Sequence, residues 1–314
     1  MKLSDLRIEW PNGHDFAFSM FDDTDFSVLP GIKEVYRLLA DLGIYTTKSV
    51  WPIHGKEEPI VGGADCEDPE YLDWVRELQA EGFEIGLHNA AYSTSQRADT
   101  IRGFDRFLEF FGHDPHTLAN HAGCRESIYW GNYRLTGAHQ TLYNLLTRNA
   151  RKNRFEGHIE NSPLFWGDIC QKRVRYVRNF VYTDINTLKV CPYMPYHDPA
   201  RPYVKAWYAS AEGPRADPLV KTLAQPNLDR LAAENGACII YAHLGQDCWD
   251  GREIHPGFKD AMTRLSKMNG WFVPLHRLLD YLVEVKGVHT LTAGERAGLE
   301  RRWLWDKVRT RGAG

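Results

Sequence analysis

Phe18-Ser19-Met20-Phe21-Asp22-Asp23-Thr24-Asp25 is an apolar run of strand type that stops abruptly at two adjacent carboxylates. Neighbouring side chains on a strand point to opposite faces, and an unpaired buried carboxylate is costly. The pair therefore predicts a strand end, with both side chains turned into a polar cleft. Such a place suits a metal ligand beside a general base. The plainer alternative is a capping or turn pair ahead of a helix that starts near Gly31.

Outward from that stretch, strands alternate with helices. Ala17 to Phe21 reads as a strand, and Gly31 to Leu42 as a helix with Ile32, Val35, Leu39 and Leu42 on one face. Ile44 to Val50 and Phe83 to Leu87 read as strands around a helix that opens with the cap Asp68-Pro69 and stops at Gly82. An amphipathic helix from Ser95 to Phe111 leads to a short strand at Thr117 to Ala119. Residues 130–215 are rich in aromatics, prolines and arginines and yield few placeable elements. Regularity returns with a helix at Asn227 to Glu234, a strand at Ala237 to Ala242, a helix near Phe258 to Met268, a strand at Trp271 to Val273 and a helix from His276 to Val285. Thr292 to Arg311 reads as a basic amphipathic helix, docked on the body of the protein or forming a dimer contact; membrane-surface association is the lesser reading.

This alternation predicts an α/β fold, a distorted (β/α) barrel of seven or eight parallel strands with a C-terminal helical extension. The barrel is expected over residues 1–287 and the helical tail over 288–314. In such barrels the chemistry gathers at the C-terminal strand ends. Four predicted strands end in Asp22-Asp23, His88, His121 and His243, all metal-ligand or acid–base types.

A net charge of −3 and a pI near 6.5 give no reason to expect a nucleic-acid partner. No apolar run is long enough to span a bilayer. The charged start Met1-Lys2-Leu3-Ser4-Asp5-Leu6-Arg7-Ile8-Glu9 lacks a signal-peptide core, so a cytoplasmic location is expected. Cys66, Cys124, Cys170, Cys191, Cys238 and Cys248 show no Cys-x-x-Cys spacing and read as reduced thiols.

Ser19-Met20-Phe21-Asp22-Asp23 resembles the first motif of the polysaccharide deacetylases (carbohydrate esterase family four), where Thr-Phe-Asp-Asp-Gly is usual. Glu84-Ile85-Gly86-Leu87-His88 is similar to the entry into the second motif, Ile239-Ile240-Tyr241-Ala242-His243 to the late strand ending in the catalytic histidine, and Trp271 to Leu279 to the closing strand and helix. The resemblance spans roughly residues 14–286. It implies Asp23 and His88 as metal ligands, Asp22 as the base that takes a proton from the attacking water, and His243 as the acid that protonates the leaving amine. One divalent ion, zinc by preference, is the implied cofactor.

Three departures stand out. Tyr92 occupies the place of the second motif's other histidine, and His121 is the candidate replacement ligand. Arg125-Glu126-Ser127-Ile128-Tyr129-Trp130-Gly131 keeps only part of the third motif, with Arg125 expected to orient Asp22. The family's Asp-Trp fourth motif is not found; Asp168 and Asp184 are the candidates for a partner of His243. The implied activity is metal-dependent removal of an N-acyl group, acetyl or formyl, from an amino sugar or glycan precursor. The rivals are a barrel amidohydrolase for a non-sugar amide or imide, and a metal-free glycan-binding pseudoenzyme. A small-molecule or glycan substrate is the expected partner, with homo-oligomerisation left open.

Overall fold

A computed structural model describes residues 7–310; the first six residues of the charged N-terminus and Arg311 of the tail lie outside the described residues. Ten strands follow in chain order: β1 (Phe16–Asp22), β2 (Thr47–Val50), β3 (Glu84–Leu87), β4 (Thr117–Leu118), β5 (Tyr176–Tyr182), β6 (Tyr196–His197), β7 (Ala206–Glu212), β8 (Ala237–Ala242), β9 (Gly270–Phe272) and β10 (His289–Thr290). Seven of them, β1-β2-β3-β4-β5-β7-β8, pair in parallel and close on themselves, because β8 bonds both β7 and β1. The expected α/β barrel is therefore the observed fold.

Closure is uneven. β1 pairs with β8 along its length, from Ala17↔Ala237 to Asp22↔Ala242. It meets β2 only at Phe21↔Thr47 and Asp22↔Lys48, and β9 occupies the base of that seam against Phe16, Ala17 and Phe18. β7 and β8 likewise meet only at Ala211↔Ile240 and Glu212↔Tyr241. Nearby the one-turn helix Thr187–Val190 packs on both strands, with Thr187 Oγ1 donating to the Ala237 carbonyl at 2.8 Å. Both seams are thus joined at the C-terminal rim and wedged apart below it.

Local chemistry sets the helices. Asp68 caps Pro69–Glu81 by accepting from the Glu70 and Tyr71 amides, and Gly82, at φ 107°, ends it. The helix Gly31–Asp41 turns Ile32, Val35, Tyr36 and Leu39 onto the barrel wall. The C-terminal helix Ala293–Thr310 docks on β5 and on the helix Gly137–Leu146, burying Leu299, Trp303 and Leu304. Two of the barrel's staves, β5 and β7, lie within the stretch that resisted sequence reading. In Tyr176–Tyr182 all seven residues are buried, so the chain shows no alternation of polar and apolar positions, and Arg178 and Asn179 interrupt its apolar run. All six cysteines are buried free thiols.

Candidate metal centre

β1 continues through Asp22, and its side-chain alternation separates the two aspartates. Asp22 points outward, between the barrel wall and the helix layer. Its carboxylate accepts from Tyr36 Oη at 2.9 Å and from the Leu244 amide at 2.8 Å, and lies 3.0 Å from Lys48 Nζ. Lys48 is its register partner on β2, and neither side chain has any exposed surface. Asp23 turns inward. There Arg178 holds it through two hydrogen bonds, Nη1 to Oδ1 at 2.8 Å and Nη2 to Oδ2 at 2.6 Å. A bulge on β5 between Arg178 and Val181 breaks the register with β7 beside this residue, and the guanidinium rests over Phe21 and Tyr241. The adjacent carboxylates do not share a cleft, contrary to the sequence expectation; the period of two still governs them.

The chain then turns at Thr24, whose carbonyl accepts from the Ser27 amide at 3.0 Å. Phe26 takes a left-handed conformation (φ 63°), and its carbonyl group lies so close to Gly245 that a β-carbon there would sit 2.5 Å away. This turn swings Asp25 back over the barrel mouth. Asp25 Oδ1 lies 3.3 Å from His88 Nε2 and 3.4 Å from His121 Nε2, while Oδ2 lies 3.4 Å from His243 Nε2.

What the far nitrogens bond decides the protonation of these rings. His88 Nδ1 donates to the Ala119 carbonyl at 3.0 Å and His243 Nδ1 to the Pro214 carbonyl at 2.9 Å. A carbonyl only accepts, so each Nδ1 carries a proton. His121 Nδ1 faces Cys124 Sγ at 3.3 Å, and that thiol donates onward to the Ala91 carbonyl. In the neutral tautomer all three rings turn a bare Nε2 toward one carboxylate. Asp25 Oδ1 is buried and has no hydrogen-bond donor. Lone pairs facing lone pairs without a proton between them are the arrangement a cation satisfies. Asp25, His88 and His121 form a buried triad whose ligand atoms lie within 4.8 Å of one another. Carbonyl or thiol support behind each ring is what metal-binding histidines need to fix tautomer and orientation.

The electrostatics agree. Burial favours a neutral Asp25, yet the close approach of His88, with His121 and His243 behind it, holds its carboxyl well below the usual range. Burial and the charge of His88 press His121 down to about 4. At neutral pH the site thus offers an ionised carboxylate and a neutral imidazole, the forms that bind metal. Burial also pulls His88 down, but Asp23 and Asp25 outweigh it and raise its pKa.

A cavity of about 230 Å³ lies over this cluster, lined among others by Asp23, Asp25, His88 and His243. Asp23, His88, His121 and His243, named from four strand ends, therefore surround one point, while Asp22 lies behind the wall. Arg125 does not orient Asp22: it is an exposed residue bonded to Glu156, and the arginine that grips a β1 carboxylate is Arg178. Asp168 and Asp184 are engaged by Arg97 and Arg230, and His243 is held by the Pro214 carbonyl instead. Tyr92 bonds His54 and the Gly55 carbonyl. Sequence reading missed Asp25 and Arg178. Asp25 stood in the quoted stretch, and its Asp-x-Asp spacing from Asp23 was the available signal; Arg178 had none.

The fold is shared with known structures. It resembles a protein assigned as a polysaccharide deacetylase from Mycobacterium smegmatis, with a TM-score of 0.54 and 13% identity over 91% of this chain and 96% of the other. It also resembles the allantoinase Puue, with a TM-score of 0.50 and 14% identity over 89% and 94% of the two chains. No protein-family model and no curated protein matches the sequence. At such identities the likeness defines the class of fold, the distorted (β/α) barrel of deacetylase type.

Proposed function

We propose that the protein is a metal-dependent hydrolase that removes an N-acyl group, acetyl or formyl, from an amino sugar or a small glycan precursor. The convergence of three bare imidazole nitrogens on a buried carboxylate oxygen without a donor carries this reading. Asp25, His88 and His121 are the ligand set, with the carboxylate two residues along the chain from the Asp23 ligand that the resemblance implied. A divalent ion such as zinc, when bound there, supplies Lewis acidity that polarises the amide carbonyl and acidifies water.

The chain's own groups then have separable tasks. Asp23, fixed by Arg178, takes a proton from the attacking water as the C–O bond forms. His243 projects Nε2 into the cleft, 3.9 Å from Asp23 Oδ2, takes up that proton there and delivers it to the departing nitrogen as the C–N bond breaks. Asp22, paired with Lys48, anchors the β1–β2 rim and has no route to substrate. A cavity of about 230 Å³ is smaller than the roughly 300–1,000 Å³ of drug-sized ligand sites, which favours a small substrate over a polymer.

Elemental analysis of protein purified without chelators tests the reading: about one zinc-like ion per chain is expected, with occupancy falling sharply in His121→Ala. Intact protein devoid of metal would sink it and favour a glycan-binding pseudoenzyme. A panel of N-acylated sugars and simple amides and imides, followed by acid release, separates the sugar deacylase from an amidohydrolase of non-sugar substrates.

A further inference from the structure

Arg134 ends the short turn Gly131–Arg134, is only 1% exposed and lines the same cavity. Its backbone carbonyl is clamped by Arg201, which is itself held by Asp198 and Glu300. The guanidinium lies over Trp130, its carbon 3.3 Å from the ring centroid, and 5.4 Å from that of Trp303. One face is thus covered by an aromatic ring, and the edge of N–H donors remains. Nε and Nη1 have no acceptor, and among the described residues no carboxylate pairs with this side chain. Stacking on an aromatic ring offsets only part of the cost of burying an unpaired ion.

The other charges of the cavity do not serve Arg134. Arg178 is taken by Asp23, and Lys307 from the C-terminal helix bonds Glu212. Arg151 also lines the wall. We propose that this cleft takes a small substrate bearing an oxyanion, a carboxylate or a phosphate, and that Arg134 receives that group. The inference rests on the cavity being the substrate site of the proposed hydrolase and narrows its substrate to an anionic N-acyl compound. A planar fork of donors stacked on a ring is well matched to two oxygens of such a group.

Calorimetric titration of the full-length protein as purified, with inorganic phosphate and separately with malonate at low ionic strength, tests this. At least one anion binds one-to-one; the tighter one tells a phosphorylated substrate from a carboxylated one. Arg134→Gln weakens that binding at least tenfold, and Arg134→Lys by less, because it keeps the charge without the fork. A crystal grown with the tighter probe needs no variant and shows it on the Arg134 guanidinium. Neither anion binding, unchanged affinity in a folded Arg134→Gln protein, or an anion seated on the histidines or elsewhere would each overturn the inference. Failure of the hydrolase reading looks different: no metal and no acid release, with the anion still on Arg134.

Discussion

Asp22 and Lys48 share a fully buried pocket, so Asp22→Asn leaves the Lys48 ammonium with Ser27 Oγ and no counter-charge. The expected loss is about 3–5 kcal/mol of stability, seen as a lower midpoint in urea unfolding. His243, partly exposed at the mouth, behaves oppositely: His243→Ala is expected to lower turnover by about 10²–10⁴-fold with little change in that midpoint. A smaller change probes the ligand set. A β-carbon on Gly123 would sit 2.9 Å from the His121 ring, so Gly123→Ala must push that ring aside. Metal affinity is expected to fall about 10–100-fold, the range for disturbed ligand support, measured by competition with a chelator. At this scale the sequence was partly legible. The histidines at strand ends announced themselves because each follows an apolar run. The three aspartates did not sort themselves, because strand parity rules Asp22 and Asp23 while the turn at Thr24 resets the direction for Asp25.

The segment from His121 to Ser127 is held by buried polar groups. Asn89, left-handed at φ 59°, accepts from the His121 amide and donates to Glu126 Oε1, while Glu126 Oε2 has no partner. Burial raises the Glu126 pKa from 4.5 to about 7. A carboxyl with a raised folded pKa binds its proton more tightly in the native state, so it costs stability as pH rises from 4.5 through 7. Glu126→Gln removes that cost, and unfolding at pH 8 should show a gain of up to about 3 kcal/mol that shrinks toward pH 5. Among the helices, Trp303 is fully buried against Phe180 and Tyr143 and donates to the Val181 carbonyl. Trp303→Ala is expected to cost about 3–5 kcal/mol in denaturant unfolding. Elements with a helical period and clear caps were readable, as at Pro69–Glu81. β5 was not, since a stave buried on both faces shows no alternation and its functional residue is a charged side chain mid-strand.

For the whole molecule, the barrel itself was legible from the succession of strands and helices, and the position of the cleft followed from the rule of strand ends. Closure through β7 could not be read, and the contribution of the C-terminal helix to the cavity through Lys307 depends on tertiary contact alone. The two wedged seams, β9 beneath β1–β2 and the turn Thr187–Val190 beneath β7–β8, put the sparse pairing at the base and the shared bonds at the rim. Heat should therefore fray this molecule from the end away from the Asp25, His88 and His121 cluster. On slow warming, amide exchange at 187–190 and 270–272 is expected to quicken before that at the rim strands around the cluster, so that the proposed ion would outlast the first loss of order.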